Sequence, residues 1–151
     1  MSVQPDSGMV EADFSVFRED FSRYLLEDGT TLRVKLVIRK VFKTPTMSPQ
    51  GYPVQMGFDS VNIVSAQVPE RLKRKPSPGT IDLSREVGKE TKFELMGEQR
   101  WQEYLTSDGL RILVKPVVTK VIRYDMYNNF GEPIYNAFMQ SITNVEKISG
   151  N

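Results

Sequence analysis

The chain has 151 residues, of which 39% are hydrophobic and 26% charged, a composition that fits one ordered globular domain. Its 20 Lys and Arg against 19 Asp and Glu leave a net charge of +1, so no global field draws it to nucleic acid or to an anionic membrane. There is no cysteine and no histidine, which excludes thiolate nucleophiles, disulfides, Ser-His and Cys-His pairs, and the Cys or His ligand sets of zinc and iron sites. Catalysis would have to rest on carboxylates, Lys, Tyr or Arg, so the chain reads as non-enzymatic, without a cofactor or a metal.

Residues 1–13 form a polar, acidic start without the basic and apolar regions of a signal peptide, and are expected to be a flexible segment. No apolar run approaches the roughly 18 residues that span a bilayer, and the expected location is the cytoplasm.

A first unit over 14–68 recurs as a second unit over 94–148. Tyr24, Asp28, Gly29, Val34, Lys35, Val37, Lys40, Val41, Gly51 and Phe58 return as Tyr104, Asp108, Gly109, Val114, Lys115, Val117, Lys120, Val121, Gly131 and Phe138, each 80 positions later. A unit of about 45 residues is marginal alone, so the two are expected to share one core. Within each unit, SRYLLEDG and QEYLTSDG end in Asp-Gly, the signature of a tight I′ hairpin turn. The β-branched runs TTLRVKLVIRKVFKT and LRILVKPVVTKVIRY follow as long strands, the second carrying Pro116, and a Gly-x-Pro loop precedes a returning third strand. The fold class is therefore all-β, two tandem three-stranded meanders closing one six-stranded barrel or sandwich. The alternative for the first element of each unit is a helix, because Phe21, Tyr24 and Leu25 fall at helical spacing.

Between the units, 69–93 reads as a linker. PERLKRKPSPGT joins Arg71, Lys73, Arg74 and Lys75 to three prolines and a glycine, and a short helix follows where Ser84 is a candidate cap.

Three groups of residues are candidates for function. Lys40 and Lys120 each interrupt an apolar strand face at period two, which makes them a possible symmetric anion site; a bulge near Ile38 would instead turn Val37 and Val41 inward and the lysines to water. The basic cluster Arg71, Lys73, Arg74 and Lys75 suits phosphate contacts and makes nucleic acid the second partner class. Tyr124, Tyr127, Phe130 and Tyr135 gather at one hairpin end and suit a protein partner or self-association, unless they fold back on the core. Asp28 and Asp108 are explained as turn residues. The reading that results is a binding, adaptor or assembly module acting through protein contacts.

Overall fold

The structure is a computed structural model and describes residues 8–148. It is all-β, with ten strands: β1 (Val10–Ala12), β2 (Phe14–Arg18), β3 (Ser22–Leu26), β4 (Thr31–Lys43), β5 (Met56–Gln67), β6 (Lys89–Thr91), β7 (Phe93–Met96), β8 (Gln102–Thr106), β9 (Leu110–Tyr127) and β10 (Pro133–Lys147). Two antiparallel five-stranded sheets result. One runs β7-β3-β4-β5 with β1 also on β4, and the other runs β2-β8-β9-β10 with β6 also on β9. Barrel closure is absent among the described residues, since β5 and β10 each pair on one side only.

Strands β1 and β2 fall on residues read partly as a flexible start, and β6 and β7 begin inside the segment read as linker. They carry the topology. β2 of the first unit pairs with β8 of the second, while β7 of the second pairs with β3 of the first. Phe14 faces Thr106 across one pairing and Phe93 faces Leu26 across the other. Each unit thus completes the other's sheet, and each phenylalanine packs edge-on to a tyrosine of that sheet, Phe14 on Tyr104 and Phe93 on Tyr24.

Apolar residues gather in two clusters, and both draw on both units. Tyr24, Leu26, Leu32 and Val34 pack with Val118 and Val121; Leu36, Ile38 and Val41 pack with Tyr104, Ile112 and Val114. The long strands β4 and β9 supply one end of themselves to each cluster, which is why they need such length.

Each long strand is flanked on its inner edge by two short strands with a gap between them. β3 reaches Val34 and β1 resumes at Val41; β8 reaches Val114 and β6 resumes at Val121. Buried backbone groups in such a gap need partners. The Tyr104 hydroxyl accepts from the Ile38 N–H at 3.0 Å, and the Tyr24 hydroxyl accepts from the Val118 N–H at 3.3 Å. Gln99 donates to the Pro116 carbonyl at 2.7 Å. Because residues two apart on a strand aim their backbone groups the same way, Pro116 sits where its missing N–H removes a donor that the gap would otherwise orphan. A proline inside a central strand is tolerated here for that reason.

The first element of each unit is a strand, not a helix. The Asp-Gly turns differ from type I′, which needs positive φ at both central residues. No described residue other than glycine has positive φ; Gly29 is at 92° and Gly109 at 91°. Gly29 donates to the Leu26 carbonyl and Leu26 to the Thr30 carbonyl, which makes a three-residue loop ending in a left-handed glycine. In place of the short helix expected in the linker, 3-10 turns form, Glu70–Leu72 and Leu83–Arg85, and Asp82 rather than Ser84 caps the second. No helix among the described residues is long and apolar enough to cross a membrane.

Candidate functional site

After β5 the chain runs across the end of the second unit. Leaving the first 3-10 turn, Arg74 donates its N–H to the Gly131 carbonyl at 2.9 Å, Ser77 donates to the Tyr127 carbonyl at 3.0 Å, and Tyr127 donates back to the Ser77 hydroxyl at 2.9 Å. The basic linker is thereby fastened along the β9–β10 hairpin, and two of the candidate regions, the cation cluster and the hairpin end, meet in one surface. Gly131 makes the approach possible: with φ at 77°, a Cβ built there would lie 2.4 Å from the Arg74 carbonyl oxygen.

The hairpin tip is held by Asn128, whose Oδ1 accepts from the N–H groups of Phe130 and Glu132. That turn presents Phe130, which is 78% exposed. The other three aromatics do not join it on the surface. Tyr124 is buried, Tyr135 turns inward against the first core cluster, and Tyr127 is half-buried with its hydroxyl donating to Asp125 at 3.2 Å.

The four cations are unequally free. Arg71 donates to the Asp28 carbonyl at 2.5 Å, Arg74 folds back on the carbonyls of Arg71 and Lys73 at 2.9 Å each, and Lys73 pairs with Glu70 at 2.7 Å. Hydrogen bonding to Glu70, more than its charge, holds the Lys73 ammonium above its usual range. Lys75 is exposed.

Beside this surface lies a cavity of about 620 Å³, lined among others by Glu27, Asp28, Gly88, Lys89, Arg123 and Tyr124. Asp28 is its best-held acid. Oδ1 accepts from the Thr30 N–H at 2.8 Å, while Oδ2 accepts from Arg123 at 3.0 Å and from the Tyr135 hydroxyl at 2.5 Å. Burial pushes this carboxyl up, but the hydrogen bonds from Tyr135 and Thr30 and the charge of Arg123 outweigh it, so the group sits below the usual carboxylate range. Burial and the bond to Asp28 push the Tyr135 phenol up to about 12. With both oxygens engaged and ionised, Asp28 is an anchor between units and a poor general base. Among the described residues no group of three or more acidic side chains could hold a metal ion.

The turn role of Asp28 and Asp108 is therefore incomplete as an explanation. Asp28 pairs with Arg123, and Asp108 pairs with Lys43, its match at the other end of the molecule. The spacing carried this signal, because Lys43 and Arg123 are also 80 apart. Lys40 and Lys120 are both exposed and are not brought together. A register shift between Ile38 and Lys40 turns Val41 into the core and Lys40 to water, while Val37 stays half-buried on the outer face. Lys120 lies 5.6 Å from the Phe138 ring.

No family model, curated protein or solved structure matches this chain, so its function has to be argued from its own residues.

Proposed function

We propose that the protein is a non-enzymatic cytoplasmic module that binds a protein partner through the surface where the linker crosses the β9–β10 hairpin. The observation that carries this reading is the exposure of Phe130 on a fastened turn, beside Lys73, Arg74 and Lys75. A large aromatic held in place loses little entropy on docking and suits the centre of an interface, and neighbouring cations suit a partner with an acidic rim. Nucleic acid is the second reading, favoured by the same cations. It is weaker because Arg71, Arg74 and Lys73 already spend donors within the chain.

The test is capture of partners on immobilised protein, comparing the wild type with Phe130→Ala and with a Lys73→Glu, Lys75→Glu pair, each checked by circular dichroism. Loss of the same captured protein in both variants supports the reading. Undiminished capture by folded Phe130→Ala rejects it. Salt-sensitive retardation of a nucleic acid, lost in the charge-reversed pair alone, would favour the second reading.

A further inference from the structure

Strand β10 closes its sheet on the outside, pairing only with β9 over Pro133–Lys147 among the described residues. A free edge of such length is a template for another strand, and proteins that keep theirs unpaired blunt it with charge, proline, bulges or brevity. From Ile134 to Val145 the strand reads IYNAFMQSITNV, with no Lys, Arg, Asp, Glu, Pro or Gly. At the chain's charged fraction of 26%, a window of that length would carry about three charges, the very residues that protect an edge. Its pairing irregularities also lie elsewhere: the extra residues are Thr119, Asp125 and Met126 of β9, which leaves β10 itself regular.

The short edge strands differ. β2 is five residues long and ends in Arg18, and β7 has four residues and contains Glu94. β5 is long, but Asp59 lies within it and pairs with Arg39 at 2.8 Å.

Side chains on β10 alternate between the core face, where Met139 packs, and an outer face carrying Phe138, Gln140 and Ile142. Phe138 and Ile142 are 44% and 46% exposed and stand equally far on either side of Gln140. In an antiparallel pair of two β10 strands centred on Gln140, Phe138 lies opposite Ile142, Asn136 opposite Asn144, Met139 opposite Ser141 and Tyr135 opposite Val145. Glu146 meets Ile134, and no like charges oppose each other.

We infer that β10 is a self-association edge, on which a second copy of this chain pairs antiparallel about Gln140 and joins two five-stranded sheets into one of ten strands. This stands independently of the linker surface. The expected occupant is a copy of the chain because the strand complements itself along its whole uncharged length.

The experiment uses the full chain. Sedimentation across the micromolar range is expected to show a dimer for the wild type, and a dissociation constant raised about tenfold or more in Gln140→Lys, which sets two ammonium groups face to face. Since the chain has no cysteine, Gln140→Cys places one thiol opposite itself, within the Cα separation that a disulfide accepts. Mild oxidation should join it efficiently, whereas Val61→Cys on β5 should remain unjoined. A wild type that stays monomeric, a folded Gln140→Lys that still dimerises as tightly, or equal joining of the Gln140→Cys and Val61→Cys variants would each overturn the proposal.

Discussion

The hydroxyl of Tyr104 donates to the Glu19 carboxylate at 2.5 Å while it accepts from the Ile38 N–H, so one side chain of the second unit holds both a strand and a connection of the first. Tyr24 does the same in the other direction, donating to Gln99 at 2.9 Å and accepting from Val118.

These two tyrosines lead to an unequal pair of outcomes. Tyr104→Phe should lower stability by about 2 to 3 kcal/mol, because it orphans a buried N–H and removes a bond to a charged acceptor. Tyr24→Phe should cost about 1 kcal/mol less, since Gln99 is neutral and the bond to Val118 is longer. Urea unfolding of both variants measures the difference. Equal losses would show that the charge on Glu19 adds nothing.

Asp28 and Tyr135 define how stability follows pH. A carboxyl whose folded value is depressed adds stability above its unfolded value of 3.8, and that contribution is lost as pH falls through the lowered folded value. Tyr135 works in the opposite sense: raised to about 12, it adds stability below the unfolded value of 10.0 that is lost as pH climbs from there toward 12. Asp28→Asn should cost about 2 kcal/mol at neutral pH, remove the acid limb and make the alkaline one shallower, because burial still raises the phenol while the bond to Asp28 and its charge are lost. Urea midpoints measured from pH 2 to 5 and from pH 9 to 12 check the two limbs, and an unchanged alkaline limb would break the link between these residues.

Strand segments and turn positions were legible from local pattern: β-branched runs bounded by Asp-Gly and Gly-x-Pro became strands bounded by turns. The turn type was not, because Asp-Gly serves both a I′ loop and a loop whose only left-handed residue is the glycine. Lys40 shows the limit of period two, since one extra residue at Arg39 reverses every facing after it. The exchange of β2 and β7 was the least visible feature. A strand's own residues do not encode its partner, and the matching pairs Glu11 with Glu90 and Phe14 with Phe93 stand 79 apart, one off the main register. At the candidate site, the aromatics and cations were recognisable as residue types. Their separation into buried and half-buried tyrosines, an exposed Phe130 and arginines turned onto carbonyls depends on contacts distant in sequence, among them those along the linker's path.

That path rests on Gly131. Alanine there must adopt a positive φ and also displace the Arg74 carbonyl, whereas at Gly109 nothing lies within 4 Å of an added Cβ. Both substitutions should cost about 1 to 2 kcal/mol in backbone strain. Only Gly131→Ala should also release the linker, which trypsin would then cut after Lys73 and Arg74 about tenfold faster than in the wild type. Equal cleavage rates in the two variants would show that the linker is not held by this contact.

Residues 8–78 carry β1 to β5 and the linker's fastened stretch, yet alone they lack the β7 that covers β3 and the β8 that receives β2. Two copies of this half can supply each other. β2 of one would pair with β3 of its twin, Tyr24 would reach Glu19 and the Ile38 N–H as Tyr104 does, and Lys43 would meet Asp28 in place of Asp108. Strand exchange between identical elements is a low-cost route to dimers. The half-chain should therefore run in light scattering at twice its mass, with a β-type circular dichroism spectrum, and Tyr24→Phe should weaken that dimer. A folded monomer of the half would mean that the exchanged strands are dispensable, and that each unit closes its own core.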